Sequence, residues 1–314
     1  MTLSKEDARL LARTAAWDAP ESSLADLTAE RLALLARTEG LDFATALLYD
    51  RLTRVPANAE FLRAAEEDQA PVALNADLVA VVPGAFHADR RRTGADGARI
   101  IAIARQAGCE ACVIPTPSFG GLDESARRIV DFLRDQRHRR ILLVSLSKGG
   151  AEVKRALSLP ETGEAFGKVG SWVSLSGMVQ GTPLIGWLRQ RPWRWWGIRG
   201  WLWWRGHGGQ AMRDLRHQSG GWPTLPPHLR VVHAYGFPLG RHLAHPWAGR
   251  GYERLAPLGP NDGGGILLAD LVRLPGIVCP LWGVDHYLRP SWDMEPLLQR
   301  IIYASSAIIQ PRSK

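Results

Sequence analysis

Two serines end nearly identical strand-like runs. "ILLVSLSKGG" begins at Ile141 and "SWVSLSGMVQ" begins at Ser171, and each carries the tetrapeptide V-S-L-S. A serine that attacks a carbonyl from the end of a buried strand needs a sharp turn into a helix. That turn holds the nucleophile in a strained backbone conformation, so the residues two positions either side must be small. Ser147 meets the condition, with Ser145 behind it, Gly149 ahead and the helical pattern "GGAEVKRALSL" following. A helix N-terminus would then face the hydroxyl, where developing negative charge is favoured. Ser176 has Ser174 behind it but Met178 ahead, and "GMVQGTPLIG" is a poor helix former. Ser147 is therefore the candidate nucleophile, and Ser176 is expected to close a strand.

The S-x-S-x-G around Ser147 resembles the G-x-S-x-G nucleophile elbow of the α/β-hydrolase superfamily, with serine in place of the first glycine. The resemblance covers roughly Val79 to Ile309, and it implies the order nucleophile, acid, histidine. Of nine histidines only His286, in "PLWGVDHYLRP", follows the last strand-like run, which is where the family's base sits. Between Gly177 and His286 the carboxylates are Asp214, Glu253, Asp262, Asp270 and Asp285. Asp214 falls in an arginine-rich insertion, Asp270 in a helical pattern, and Asp285 is the chain neighbour of His286. Asp262, in the turn-rich "GPNDGGG", resembles the acid turn of bacterial lipases and is the expected third member. Glu253 is the alternative, because the stretch from "VVHAY" to Asp262 is long for the family. The oxyanion donors implied by the resemblance are the backbone amides of Lys148, after the nucleophile, and of Ala85. The latter lies in "VAVVPGAF", which resembles the family's H-G-x turn with Pro83 in the histidine position. "GTPL" at Gly181–Leu184 resembles a further lipase turn.

The segment from Gly186 to Pro223 holds eight of the thirteen tryptophans and seven arginines against one acid, Asp214. By the resemblance an insertion here, about residues 182–227, forms a cap over the site. Its Trp187, Trp193, Trp195, Trp196, Trp201, Trp203 and Trp204 are the candidate substrate-cap residues. Tryptophan beside arginine suits three roles: a packed lid enclosing an apolar acyl pocket, a lipid or polymer surface, or, least well, stacked nucleic acid.

These residues need a scaffold. Six short apolar runs, "ADLVAVVPG", "ACVIPTP", "RILLVSLS", "VGSWVSLSG", "LRVVHAYG" and "GIVCPLWG", read as strands buried on both faces. The helical patterns "ADGARIIAIARQAG", "LDESARRIVDFLRDQRHR" and "AEVKRALSL" lie between them, which predicts an α/β class with a mostly parallel sheet and helices on both faces. Residues 1–72 read as a helical extension and 73–314 as the hydrolase domain. The chain has 314 residues and a net charge of +8. It shows no apolar run of membrane-spanning length and no signal-peptide pattern at its start, so a cytoplasmic location is expected. Cys109 and Cys112 form a C-x-x-C with no second ligand pair, and the expectation is two small strand residues without metal or cofactor.

The function these readings imply is a serine carboxylic-ester hydrolase of lipase or esterase type, acting on an ester with an apolar acyl group. Polyester depolymerase, thioesterase and acyltransferase use the same triad and stand as alternatives. A non-catalytic binding or scaffold protein on the same fold is the alternative of another class.

Overall fold

A computed structural model of the chain describes residues 3–18, 23–66, 73–89, 93–218, 220–243, 245–288, 290 and 292–309. All six apolar runs are strands: β1 Leu78–Val82, β2 Glu110–Val113, β3 Ile141–Leu146, β4 Val169–Leu175, β5 Arg230–Phe237 and β6 Ile277–Trp282. They form one six-stranded sheet in the order β2-β1-β3-β4-β5-β6. The pairs β1–β2, β1–β3, β3–β4 and β4–β5 are parallel. Strands β1 and β4 are buried almost end to end, which is why they read as unbroken apolar runs rather than as alternating ones. Edge strand β2 is more open, with Glu110 and Val113 exposed.

By chain contacts the molecule divides into two compact units, Met1–Arg63 with Tyr235–Met294, and Ala64–Ala234 with Glu295–Lys314. The first unit contains α1 Lys5–Ala15, α2 Ala29–Thr38 and α3 Leu41–Thr53, and α4 Pro56–Glu66 begins in it. Ser4 and Thr28 cap α1 and α2 by accepting from the amides of Asp7 and Arg31. Helix α3 is the apolar one, with Phe43 through Leu48 and Leu52 buried. The Asn58 side chain ties α4 to its unit by donating to Leu52 O at 2.9 Å and accepting from the Val278 amide at 2.8 Å.

The second unit adds α5 Ala98–Gln106, α6 Leu122–Asp135, α7 Lys148–Ala156, α8 Thr162–Ala165, α9 Pro183–Arg189, α10 Pro192–Trp204 and α11 Gln210–Asp214. In the first, α12 Pro246–Leu255 follows β5, and α13 Glu295–Ala307 returns to the second. Helices α5 and α7 pack on β1 and its neighbours and α13 on β4, so the amphipathic patterns noted in the sequence are their sheet-facing sides. Cys109 and Cys112 carry free thiols, one before β2 and one within it, and burial pushes both thiols up, away from the reactive thiolate. Among the described residues no helix is long and apolar enough to cross a membrane.

Candidate active site

The V-S-L-S echo is a structural register. Val144, Ser145 and Leu146 of β3 pair with Val173, Ser174 and Leu175 of β4, so the two repeats run side by side. At the end of each strand the chain turns in the same way. The Ser147 amide donates to Leu175 O at 3.0 Å and the Ser176 amide to Ala234 O at 2.8 Å. Both serines are forced to positive φ, +49° for Ser147 and +46° for Ser176, a region that non-glycine residues rarely occupy.

What separates them is exposure and what comes next. Ser147 is half-buried and stands at the N-cap of α7, whereas Ser176 is buried at 2% exposure and leads into an irregular turn. The requirement for small neighbours is visible in the packing. A Cβ built on Gly149 would lie 2.6 Å from Val82 O, and one on Gly150 would lie 2.7 Å from Gly177 Cα. Ser145, the serine standing for the family's first glycine, is fully buried and accepts a 2.9 Å hydrogen bond from Trp172 Nε1.

The loop after β1 passes the elbow. A Cβ on Gly84 would lie 3.5 Å from Ser147 Cβ, and the Gly84 amide is anchored to Ala95 O at 2.7 Å. The Ala85 and Lys148 amides donate to no carbonyl among the described residues, and the latter is a first-turn amide that α7 cannot satisfy internally. The Lys148 side chain turns away from the site. It is buried at 1% exposure and ion-paired to Glu152 one turn on. Burial pushes the Glu152 carboxyl up and the Lys148 charge pulls it back, so the pair clamps the first turn of α7.

The first unit holds the Asp262 and His286 candidates. After β6, His286 is buried at 7% exposure, and its Nδ1 lies 2.6 Å from Asp262 Oδ2. A carboxylate can only accept, so in the neutral ring the proton sits on Nδ1 and the lone pair is on Nε2. The other Asp262 oxygen accepts from the amides of Gly264, Gly265 and Ile266 at 2.9, 3.1 and 3.0 Å. Asn261, fully buried, holds the turn by donating to Tyr252 O and Gly259 O and accepting from the Gly263 amide. The His286 amide donates to Asp262 O at 2.8 Å, so backbone and side chain align the pair together. Burial alone would push the imidazolium down; the Asp262 charge and hydrogen bond, with Asp285 adding, carry it above the ordinary histidine value. Asp285 is buried at 1% exposure, and burial raises its carboxyl. Glu253, the alternative acid, is exposed on α12. Asp270 falls in a 3-10 turn, Leu268–Arg273.

The tryptophans of residues 182–227 divide by face. Trp195 and Trp201 pack inward on a cluster that includes Phe119, Ile185, Leu202 and Met212, and Ala85, Phe86 and Met178 pack against the same cluster. Phe86, at φ +58°, stacks on Phe119 at 4.4 Å and meets Trp201 edge-on at 5.7 Å. Trp187 is half-buried under the Arg191 guanidinium at 3.9 Å. Trp193, Trp196, Trp203 and Trp204 face solvent. Asp89 latches the end of α10, reaching Arg205 at 3.4 Å and His207 at 3.1 Å. Sequence reasoning missed Phe86, Phe119, Asp89 and His207; adjacency to Ala85 was the available signal for Phe86, and nothing local marked the others.

No protein-family model matches the sequence, and a search of curated proteins finds no similar one. Solved structures do resemble it. A metagenomic carboxyl esterase, MGS0156, superposes with a TM-score of 0.52 at 18% identity, over 75% of this chain and 74% of that one. The propeptide form of the lipase BlEst2 from Bacillus licheniformis gives 0.50 at 20% identity, over 69% of this chain and 47% of that one. The fold is that of the α/β-hydrolases. Ser147 stands in the turn between β3 and α7, Asp262 follows β5, and His286 follows β6.

Proposed function

We propose that the chain is a carboxylic-ester hydrolase that works through Ser147, His286 and Asp262. The observation that carries the reading is that two independently built devices each have the form this chemistry requires. One is a serine held at positive φ on a helix N-terminus beside two uncommitted amides; the other is a buried, pre-oriented Asp–His pair with Nε2 left as base. Likeness in fold to a carboxyl esterase and a lipase supports the same class.

In the reaction, Ser147 Oγ attacks the ester carbonyl carbon while His286 Nε2 takes the hydroxyl proton. The carbonyl oxygen becomes an oxyanion held by the Ala85 and Lys148 amides. Collapse expels the alcohol, which receives the proton from Nε2, and leaves the acyl group on Ser147. Water then attacks the acyl carbonyl, gives its proton to Nε2, and the second collapse releases the acid as Nε2 returns the proton to Ser147. Asp262 keeps the imidazole in the required tautomer and stabilises the imidazolium. The apolar wall of Phe86, Phe119 and Trp201 beside Ala85 is the acyl side, so the substrate is an ester with an apolar acyl chain. The inner face of the cap belongs to that wall, and its outer face meets the lipid that carries the ester.

The test is hydrolysis of p-nitrophenyl esters from acetate to palmitate by the intact protein and by Ser147→Ala. Serine-dependent turnover is expected, with the variant lower by about 10⁴- to 10⁶-fold, together with fluorophosphonate labelling of Ser147. Hydrolysis that survives in the variant, or no turnover and no labelling, would reject the reading.

A further inference from the structure

Helix α10 carries apolar residues round most of its circumference, interrupted by Arg194 and Arg199, a breadth that belongs to a helix covered on more than one side. Only one side is covered by the protein. Trp195 and Trp201 pack inward with Leu202, whereas Trp193, Trp196, Trp203 and Trp204 are 92%, 63%, 81% and 73% exposed. At 3.6 residues per turn these four fall, with Gly200 between them, within an arc of about 100° along the helix. They form a continuous aromatic stripe. Arg194 and Arg199 flank the stripe on its two sides, and Arg199 lies over the Trp196 ring at 5.2 Å.

The charge around the stripe has one sign. Residues 187–205 contain five arginines and no carboxylate. Arg205 is answered by Asp89, while Arg189, Arg191, Arg194 and Arg199 have no carboxylate partner among the described residues. At the foot of α10 is a cleft of about 180 Å³ lined by Arg189, Arg199, Arg213 and Arg216 with Trp195 and Met212. The accessible wall of this cleft is mostly apolar, with Arg189 and Arg199 against the Trp195 ring and Arg213 held by Gln210 Oε1.

We infer that this face of the cap is a docking surface for an anionic phospholipid bilayer. The helix lies in the plane of the interface. The four exposed tryptophans seat among headgroups and upper acyl chains, where an amphipathic ring is best placed. The arginines take the phosphates. The helix, thirteen residues long, is too short to span a bilayer, so it rests on the surface. An exposed aromatic face alone would suit a solid polymer or a second copy of the chain equally well. The four arginines without a carboxylate partner favour an anionic lipid over both. The inference does not depend on ester hydrolysis, because the surface and the triad are separate residues.

Co-sedimentation of the full chain with vesicles of phosphatidylcholine alone, or of phosphatidylcholine and phosphatidylserine at 70:30, tests it. Ser147→Ala runs in parallel so that binding is read apart from turnover. Binding is expected on the anionic vesicles with a blue-shifted tryptophan emission, falling as salt rises. The Arg191→Glu/Arg194→Glu double variant is expected to lose at least about 25-fold in partitioning, roughly fivefold per charge removed. Trp193→Ala/Trp203→Ala is expected to lose roughly tenfold through its apolar contact. Circular dichroism shows that each variant keeps its fold, and light scattering gives its mass. Equal binding to neutral vesicles, no binding to either, or indifference to the arginine pair would overturn the proposal. So would adsorption to polyester film without vesicle binding, or a dimer that the tryptophan variant dissociates.

Discussion

At the scale of single residues, the Asp262–His286 pair makes a pH prediction whose sign can be worked out. In the proposed mechanism His286 must be neutral to take the serine proton, and its folded-state value lies above the ordinary 6.5. The acidic limb of kcat/KM is therefore expected at a pH above 6.5, with activity lost as pH falls through it. Asp262→Asn removes the charge and the hydrogen bond that hold the value up, so the limb should move to lower pH. Turnover should fall by about 10⁴-fold, because the amide no longer enforces the tautomer. A pH–rate profile of both proteins decides it; an unmoved limb would show that another group sets it. The paired serines give the contrasting lesson. Their backbone strain is the same, so strain alone does not mark a nucleophile. Access and the amides that follow do.

At the scale of elements, the imidazole is positioned by a glycine in the acid turn. A Cβ on Gly264 would lie 1.9 Å from His286 Cγ and 2.2 Å from its Cβ, so the turn and the ring cannot both keep their places beside an alanine. Gly264→Ala is expected to cost about 1–3 kcal/mol of stability. It should also lower kcat by at least about 100-fold through misplacement of the base. Gly249→Ala, on α12 with nothing near its added methyl, is the control and should retain activity. Measured kcat and melting temperature for the two variants separate a local displacement from a general intolerance of the first unit. The same close packing appears at the elbow, where Gly149 and Gly150 let α7 approach the end of β1 and the turn after Ser176.

At the scale of the whole molecule, the N-terminal helix is held to its unit by charge as well as by packing. Asp7 is buried and ion-paired to Arg241, with His242 at 3.3 Å. Burial alone would raise the Asp7 carboxyl. The Ser4 and Arg241 hydrogen bonds and the neighbouring positive charges lower it below the usual 3.8. A depressed folded-state value means that the contribution is present above the unfolded value and is lost as pH falls through the folded one. Arg241 is a third exposed, so the pair is worth less than a fully buried one. Asp7→Asn is expected to cost about 1–2 kcal/mol at neutral pH. The gap from the parent should close as pH falls below the usual 3.8 and through the lowered folded-state value. Thermal melts of both proteins across that range test it, and an equal melting temperature at pH 7 would remove the pair from the account.

Legibility followed the range of the forces involved. Strands and helices showed in the sequence because burial on two faces demands unbroken apolar runs and burial on one demands helical spacing; β1 to β6 and α5 to α7 are local consequences of that rule. The elbow was legible for the same reason, since its steric demand falls on residues two positions away. Asp262 and His286 are 24 residues apart, and the choice between Asp262 and Glu253 stayed open. Composition does not say which carboxylate a chain folds back onto a ring. The structure places Asp262 there, in a turn held by Asn261, and leaves Glu253 in solvent. Nor did the sequence divide the seven tryptophans of the cap, because tryptophans spread round most of a helix do not mark which of them are covered. Which face is covered depends on Phe119, distant along the chain, and on how Ile185 and Met212 fold back beside the helix, and packing of that kind exists only in the folded molecule.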